Sequence, residues 1–282
     1  MGGEEYMAQA DKKLKSFGWF SGDQKFEDAA ELYTKAANQF KNNKQWDQAA
    51  NAFCRSAECH AKLGSKHETA TDYISAGTCY SKTNVNVNCI TNAVQLYVDE
   101  GRFSIAAKHQ KEIGEMYEKA NEIEKAVEAF QKAADFYDGE NTTSAANGCL
   151  LKVAEMSAKL SNYERAIGIY EEVGKKSLDN NLTKWSVKDY LFRGMLCRLC
   201  TTDLVSSKKA IDRYKDLDVS FPSSRECKFL EQILAAVENY DKEAFTQAVV
   251  DYDSISKLDQ WKTTMLLRIK NGIASAEDED LA

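Results

Sequence analysis

The chain has 282 residues, of which 44 are acidic and 37 basic, so the formal net charge is −7. With 43% hydrophobic residues a packed core is expected, and wholesale disorder is excluded. One proline and 14 glycines are too few for the tight turns of an all-β protein, and the mildly acidic balance argues against a nucleic-acid partner. The acidic start lacks the charged and apolar regions of a signal peptide, so we expect a cytoplasmic location.

The first segment of interest is Phe17-Gly18-Trp19-Phe20-Ser21-Gly22, which contains three large aromatic residues and two glycines. The glycines argue against a helix, and two interpretations are open. The aromatic side chains either staple two helices together or form an exposed loop that touches a membrane surface, where such side chains are favoured. Each buried aromatic would contribute about 1.5–3 kcal/mol, so membrane contact of this kind is weak and reversible.

A repeat organises the segment that follows. Phe26, Trp46 and Phe103 are each followed by alanine three and four positions later, and small residues recur ten and eleven positions later in several copies. These offsets mark one stripe of an α-helix, where alanine lets a neighbouring helix approach closely. Copies begin every ~20 residues, which indicates helical hairpins similar to tetratricopeptide repeats but longer. Breaks between helices are predicted at residues 64–65, 84–88, 101, 139–143 and 179–181.

From about residue 183 the repeat fades, although helical patterns continue over residues 184–200, 203–217, 223–240, 242–257 and 259–272. Pro222 and the serines after it provide a turn and an N-cap for the third of these helices. We therefore predict an all-α fold. Residues 1–182 form a right-handed superhelical solenoid of tetratricopeptide-like antiparallel helix hairpins, residues 183–272 a C-terminal helical bundle that caps it, and residues 273–282 an acidic tail.

Residues that could carry catalysis are scarce. The sequence contains no dinucleotide fingerprint, no P-loop and no nucleophile elbow, and its three histidines lack metal-ligand spacing. Cys197 and Cys200 form a lone CxxC without a second pair or a βαβ context, so we expect them to pack within a helix. The other cysteines stand in apolar helical contexts and are expected to be core residues. The sequence therefore predicts a protein without catalytic activity, metal or cofactor.

Basic residues recur at or near the predicted turns. Any one of them is most simply a solvated surface residue, yet stacked hairpins would bring equivalent positions into rows that could bind an acidic, rod-like partner. These residues are Lys44, Lys66, Lys82, Arg102, Lys108, Lys111, Lys152, Lys184, Lys188 and Arg193. The chain ends with an acidic run, Glu277, Asp278, Glu279 and Asp280, followed by Leu281. Such a tail is either solvating or, because of its leucine, a docking point.

Long strings of residues also match a known family. They are residues 101–109 (GRFSIAAKH), 149–154 (CLLKVA), 224–228 (SRECK) and, above all, 252–261 (YDSISKLDQW) continuing through 263–270 (TTMLLRIK). In these strings, and nearly end to end, the chain resembles the soluble NSF attachment proteins, the SNAP adaptors of membrane fusion, in their α/β form.

The resemblance implies an adaptor that binds the assembled four-helix SNARE bundle and recruits the hexameric ATPase NSF, which takes that bundle apart. It implies a cytoplasmic protein that is peripheral on vesicle and target membranes. The family's SNARE-facing positions correspond to Lys44, Lys82, Arg102, Lys108, Lys152 and Lys188. Its weak membrane contact corresponds to Phe17, Trp19 and Phe20, and its NSF-binding and stimulating segment to Glu277, Asp278, Glu279, Asp280 and Leu281.

Three departures from the family pattern bear on these expectations, and the first is Ala282, which stands where a basic residue is expected. Gly148 stands where the family has a SNARE-facing lysine, and the aromatic loop passes directly from Gly22 to Asp23 instead of continuing with a further aromatic residue. The competing interpretation from the repeats alone is a tetratricopeptide scaffold that binds a short peptide in its groove.

Overall fold

A computed structural model of the chain describes residues 2–15, 22–83 and 86–280, of which 274–280 are described as backbone only. Within these ranges the chain is all-helical, with fourteen α-helices, one short 3₁₀ helix at Lys184–Ser186 and no strand, which confirms the predicted fold class. The α-helices are α1 Gly3–Lys15, α2 Gln24–Asn42, α3 Trp46–Lys62, α4 Lys66–Tyr80, α5 Asn88–Asp99, α6 Phe103–Lys119, α7 Ile123–Gly139, α8 Thr143–Lys159, α9 Tyr163–Leu178, α10 Val187–Leu199, α11 Leu204–Leu217, α12 Arg225–Glu238, α13 Lys242–Ile255 and α14 Gln260–Asp280.

The breaks between helices agree with the sequence pattern. α3 ends and α4 begins on either side of Gly64-Ser65, Gly101 separates α5 from α6, and α8 begins at Thr143. α11 to α13 begin and end within two residues of their predicted bounds, and Ser224 is the N-cap of α12, where its hydroxyl accepts a hydrogen bond from the Cys227 amide.

The last helix is longer than the sequence pattern indicates. We expected it to end at Gly272, but α14 continues to Asp280 and so includes most of the segment assigned to the acidic tail. A single glycine inside a helix costs only about 1 kcal/mol. Residues 273–280 contain no proline and no further glycine. The glycine is therefore too weak a signal to end this helix.

The chain divides into two compact units, residues 1–149 and 150–282. In the first unit each helix packs on the next along the chain, from α1 against α2 to α6 against α7. Because short turns join these helices, the neighbours are antiparallel. The alanine stripes that marked the repeat are buried in these contacts, as predicted: Ala29, Ala30, Ala36, Ala37, Ala49, Ala50, Ala106, Ala107, Ala126, Ala133 and Ala134. The solenoid and bundle boundaries drawn from the fading repeat stay a prediction.

The turns share one backbone design. A residue with positive φ ends the helix at Lys44, Gly64, Gly101, Asn121, Asn141 and Ser161. The amide that follows each of these residues donates to the carbonyl five residues before it, as from Gln45 to Phe40 (2.9 Å) and from Arg102 to Tyr97 (2.8 Å). This is the Schellman arrangement, which satisfies carbonyls that the end of a helix would otherwise leave unpaired. Only two of the six positions carry glycine, the residue that adopts positive φ without strain.

The second unit is built around α10, which packs against α9, α11, α12 and α14. Eight of its thirteen residues are buried, among them Leu191, Phe192, Met195 and Leu196. A helix that is apolar around most of its circumference lies in the interior of a bundle, in contrast to the one-sided helices of the first unit. Among the described helices, none is both long and apolar enough to cross a membrane.

Candidate functional site

The six predicted SNARE-facing residues fall in both compact units. Lys44, Lys82, Arg102 and Lys108 belong to the first, and Lys152 and Lys188 to the second. The aromatic residues Phe17, Trp19 and Phe20 lie outside the described residues, as does Leu281. The acidic positions Glu277, Asp278, Glu279 and Asp280 lie at the end of α14, where the structure describes the backbone alone.

Lys44 and Lys82 lie on turns that adjoin one another at one edge of the first unit. Lys44 is in the turn between α2 and α3, and Lys82 is in the residues that follow α4. The two turn regions are joined by a hydrogen bond in which the Thr83 hydroxyl donates to the carboxylate of Asp47, 2.5 Å away. Both lysine side chains are exposed. The fold therefore places these two cations on neighbouring hairpin ends.

Arg102 lies on the opposite edge, where the helices of the first unit reverse at their other ends. Its guanidinium Nη1 is 3.4 Å from Nδ1 of His67, in the first turn of α4, and 3.9 Å from the Glu100 carboxylate. At the same edge, the Ser104 hydroxyl donates a hydrogen bond to the Glu140 carboxylate at 3.2 Å, which joins the start of α6 to the turn that follows α7. Three successive turns are thus held side by side. The basic residues of this unit therefore form two groups.

Lys108 belongs to the second group, because it follows Arg102 by six residues, about 9 Å along α6. It shares the exposed face of this helix with Ile105, three residues earlier. Beneath them His109 is buried, stacks on Tyr97 with 5.9 Å between ring centroids, and lies 2.8 Å from a Glu112 oxygen through Nδ1. The hydrogen bond with His109 lowers the pKa of Glu112, with help from Lys108 and Lys111 against the effect of burial.

In the second unit, exposed apolar residues that the sequence reasoning missed precede Lys188. Lys188 lies in the first turn of α10, just after a segment in which the side chains of Leu182 and Trp185 are 89% and 77% exposed. Lys184 stands over the Trp185 ring, 5.4 Å from its centroid. Large apolar side chains exposed this far mark contact surfaces when basic groups surround them. The sequence signal for this surface is a leucine and a tryptophan within the otherwise polar segment between α9 and α10.

Four of the six predicted cations differ from many other lysines of the described chain in forming no ion pair. Among the described residues, Lys44, Lys82, Lys108 and Lys188 form no ion pair with another side chain. By contrast, Lys35, Lys176 and Lys257 each bind a carboxylate one helical turn earlier. An unpaired surface cation can meet a partner's carboxylate without first breaking a bond within its own chain, so these four residues are available for an acidic surface.

The cysteines and the residue types that can bind metal ions are the side chains to examine for catalysis. In the described part of the chain no three histidine, cysteine or acidic residues gather where they could hold a metal ion. Cys197 is buried within α10, and burial raises its pKa; burial likewise raises the pKa of Cys200 to about 11. The Cys200 thiol is directed at the Met265 carbonyl oxygen, 3.7 Å away. The prediction that both residues pack within a helix is confirmed for Cys197, whereas Cys200 follows the last residue of α10 and is only partly buried.

Comparison with known proteins identifies the family. The family model described as "Soluble NSF attachment protein, SNAP" matches residues 1–274. The chain is 46% identical to the mouse protein named alpha-soluble NSF attachment protein and to the bovine beta form, in each case over 98% of this chain and 95% of the relative. It is 34% identical to the probable vesicular-fusion protein sec17 homolog of Schizosaccharomyces pombe over 98% of both chains. These relatives are named as attachment or fusion proteins, in agreement with the prediction of a protein without catalytic activity.

Proposed function

The chain belongs to the family of soluble NSF attachment proteins, and from this premise we propose that it acts in vesicle fusion as an adaptor between SNARE bundles and NSF. In this role it binds the assembled SNARE four-helix bundle, recruits the NSF ATPase and stimulates the disassembly that NSF drives. It works in the cytoplasm and peripherally on membranes, through weak contact of its aromatic loop. The names of its relatives supply the partner NSF and the process of vesicle fusion.

One observation supports the SNARE-binding part of this proposal most directly. Arg102 and Lys108, which forms no ion pair, lie with the exposed side chain of Ile105 at the start and in the first half of α6, in the first unit. In the second unit, Lys188 lies beside exposed Leu182 and Trp185. A SNARE bundle is an acidic rod of helices, which offers carboxylates to the cations and apolar side chains to the exposed leucine, isoleucine and tryptophan.

The energetics require several such contacts. An exposed ion pair contributes only about 0–1 kcal/mol and is screened by salt. Affinity therefore arises from the sum of the contacts and from the binding of several adaptors side by side. The apolar contacts matter because salt does not screen them. The group around Arg102 and the group around Lys188 each combine cations with exposed apolar side chains, which suits binding at physiological ionic strength.

Reversal of charge at Arg102, Lys108 and Lys152 tests the proposal. The triple variant with glutamate at these positions should lose binding to assembled SNARE complex in a pull-down at physiological salt. The matched control carries glutamate at Lys132, Lys209 and Lys228, which are exposed on α7, α11 and α12. It has the same net charge and should bind normally. Unchanged binding by the first variant would overturn the assignment.

The membrane contact is tested by changing Phe17, Trp19 and Phe20 to serine. If these residues touch the bilayer, the variant should slow disassembly of SNARE complexes anchored in liposomes and leave disassembly of soluble SNARE fragments unchanged. An equal loss in both assays would favour the alternative in which the aromatic side chains staple helices together.

A tetratricopeptide-type peptide scaffold is the competing function. Such a scaffold would bind an isolated SNARE peptide as tightly as the folded bundle. The adaptor proposed here binds the assembled bundle and accelerates its disassembly by NSF and ATP. Disassembly assays with and without the protein, together with peptide-binding measurements, separate the two.

A further inference from the structure

Two cysteines far apart in the chain meet in the first unit. Cys54 lies in the middle of α3 and Cys89 in the first turn of α5, 35 positions later, and their sulfur atoms are 3.1 Å apart. That separation is about 1 Å longer than the roughly 2.05 Å bond of a disulfide. Cys89 is buried and Cys54 is partly exposed. We propose that Cys54 and Cys89 form an oxidation site, which a peroxide converts reversibly into a disulfide that joins α3 to α5.

The neighbourhood of the pair is well suited to such a bond. Cys89 belongs to the core cluster that contains Phe53, Ala76 and Cys79, and Cys54 packs against this cluster, so the surrounding side chains hold both residues in place. Tyr73 and Tyr80 pack at the same cluster. Disulfide formation requires the two sulfur atoms to approach by about 1 Å from their present 3.1 Å.

The other cysteines are less suited. Cys197 and Cys200 lie three positions apart and are held by α10, with Cys197 fully buried and the Cys200 thiol directed at the Met265 carbonyl oxygen. Cys59 is buried in a different cluster of the first unit, and burial raises its pKa to about 11. A thiol must become a thiolate to react, so these environments suppress oxidation.

The chemistry assigns different roles to the two sulfur atoms. A hydrogen bond joins the two thiols, and it raises the pKa of Cys54 and lowers that of Cys89. The positive end of the α5 dipole, at the start of this helix, also favours a negative charge there. The Cys89 thiolate attacks hydrogen peroxide and becomes a sulfenic acid with release of hydroxide. The Cys54 thiol then attacks that sulfur, the disulfide forms, and water leaves. Two electrons pass from the thiols to the peroxide.

The disulfide would close a loop that contains all of α4 and the turn with Lys82. α3 and α5 are separated in the chain by α4, which packs against both. A cross-link between them restricts the unfolded chain and holds three helices together, and it should stabilise the unit without changing its core. This inference depends only on the thiol geometry and stands apart from the proposed partners.

Mass mapping of the wild-type protein tests the site directly. After brief treatment with hydrogen peroxide and alkylation of the remaining thiols, a linked peptide pair containing Cys54 and Cys89 should be recovered and should disappear on treatment with dithiothreitol. The oxidised protein should melt roughly 5–10 °C higher than the reduced one. Cys54→Ser and Cys89→Ser should abolish both effects. Cys79→Ser, a change at a neighbouring core thiol, should retain them.

The contrary result is equally clear. If Cys54 and Cys89 alkylate after peroxide treatment as completely as before it, or if the recovered linkages involve other cysteines, the proposal fails. The mapping uses the unaltered protein, so its outcome does not depend on whether the serine variants fold.

Discussion

Gly77 of α4 and Ile90 of α5 approach so closely that a Cβ atom on Gly77 would lie 2.2 Å from Cγ1 of Ile90. Gly77 is one of the small residues of the repeat, next to Ala76, and both are buried. No side chain larger than hydrogen fits unless the Ile90 side chain or α5 itself shifts. The contact thus shows why the small positions of the repeat decide how closely consecutive helices pack.

Gly77→Ala should lower the free energy of unfolding by about 1–3 kcal/mol, because the added methyl group overfills the contact. Chemical denaturation followed by circular dichroism measures the change. The matched control is Gly168→Ala in α9, where a Cβ atom would meet nothing within 4 Å. There the same substitution should stabilise by about 0.5–1 kcal/mol, because alanine is the better helix former. A neutral effect at Gly77 would mean that α5 shifts freely.

Lys44 combines backbone strain with a predicted binding role. Its φ of 59° suits glycine, and a lysine there is strained. Lys44→Gly should therefore raise the free energy of unfolding by about 0.5–1 kcal/mol while it weakens binding to SNARE complex. Asn121→Gly, at the equivalent turn position with a φ of 60°, should stabilise without loss of binding. Full binding by the Lys44 variant would remove this residue from the proposed surface.

Leu182 and Trp185 should contribute the part of SNARE affinity that resists salt. Changing both to serine should weaken binding by about a hundredfold or more, given about 1.5–3 kcal/mol for each large apolar side chain that becomes buried. The loss should persist when the salt concentration is raised, in contrast to the charge-reversal variant. Val219→Ser changes a side chain that is 94% exposed elsewhere in the same unit and should bind normally. Titration calorimetry at two ionic strengths measures all three.

Asp189 should make the second unit sensitive to acid. Burial acts to raise its pKa, but ion pairs with Lys262 and Arg193 outweigh burial and hold the pKa below its usual 3.8. A lowered pKa in the folded state means that the stabilisation is present above the usual value and is lost as the pH falls through the folded value. Asp189→Asn should therefore destabilise by about 1–2 kcal/mol at pH 7 and much less near pH 2.

The control for this pH profile is Asp216→Asn, an exposed carboxylate on α11, which should change stability by less than ~0.5 kcal/mol at either pH. Denaturation midpoints at several pH values supply the comparison. A constant difference between Asp189→Asn and the wild-type chain from pH 7 to pH 2 would contradict the role assigned to the ion pairs.

Leu281→Ala should separate the two proposed activities. If the end of the chain stimulates NSF, this variant should bind SNARE complex normally and yet lower both the stimulated ATPase rate and the rate of disassembly. Ala282→Gly is the neighbouring control and should leave both rates unchanged. Normal disassembly by the Leu281 variant would refute the assignment of this residue.

Much of the fold follows from the sequence because its causes are local. The alanine stripe after Trp46 predicts a buried helix face, and Gly101 predicts a turn, since both depend on residues within one or two helical turns. The prediction that α14 ends at Gly272 was wrong, because one glycine is a weak signal for the end of a helix. The exposure of Trp185 and the meeting of Cys54 with Cys89 depend on contacts between distant residues, which helical periodicity does not encode.

The positive-φ residues recur twenty positions apart, at 44 and 64 and again at 101, 121, 141 and 161. Each helix between them reaches the next turn with its alanine stripe facing its neighbour. Removal of one residue from the middle of such a helix would rotate everything beyond it by about 100° and turn that stripe toward water. An extra residue within the turn leaves both stripes where they are. A one-residue deletion should therefore destabilise this chain more within a helix than at a hairpin end.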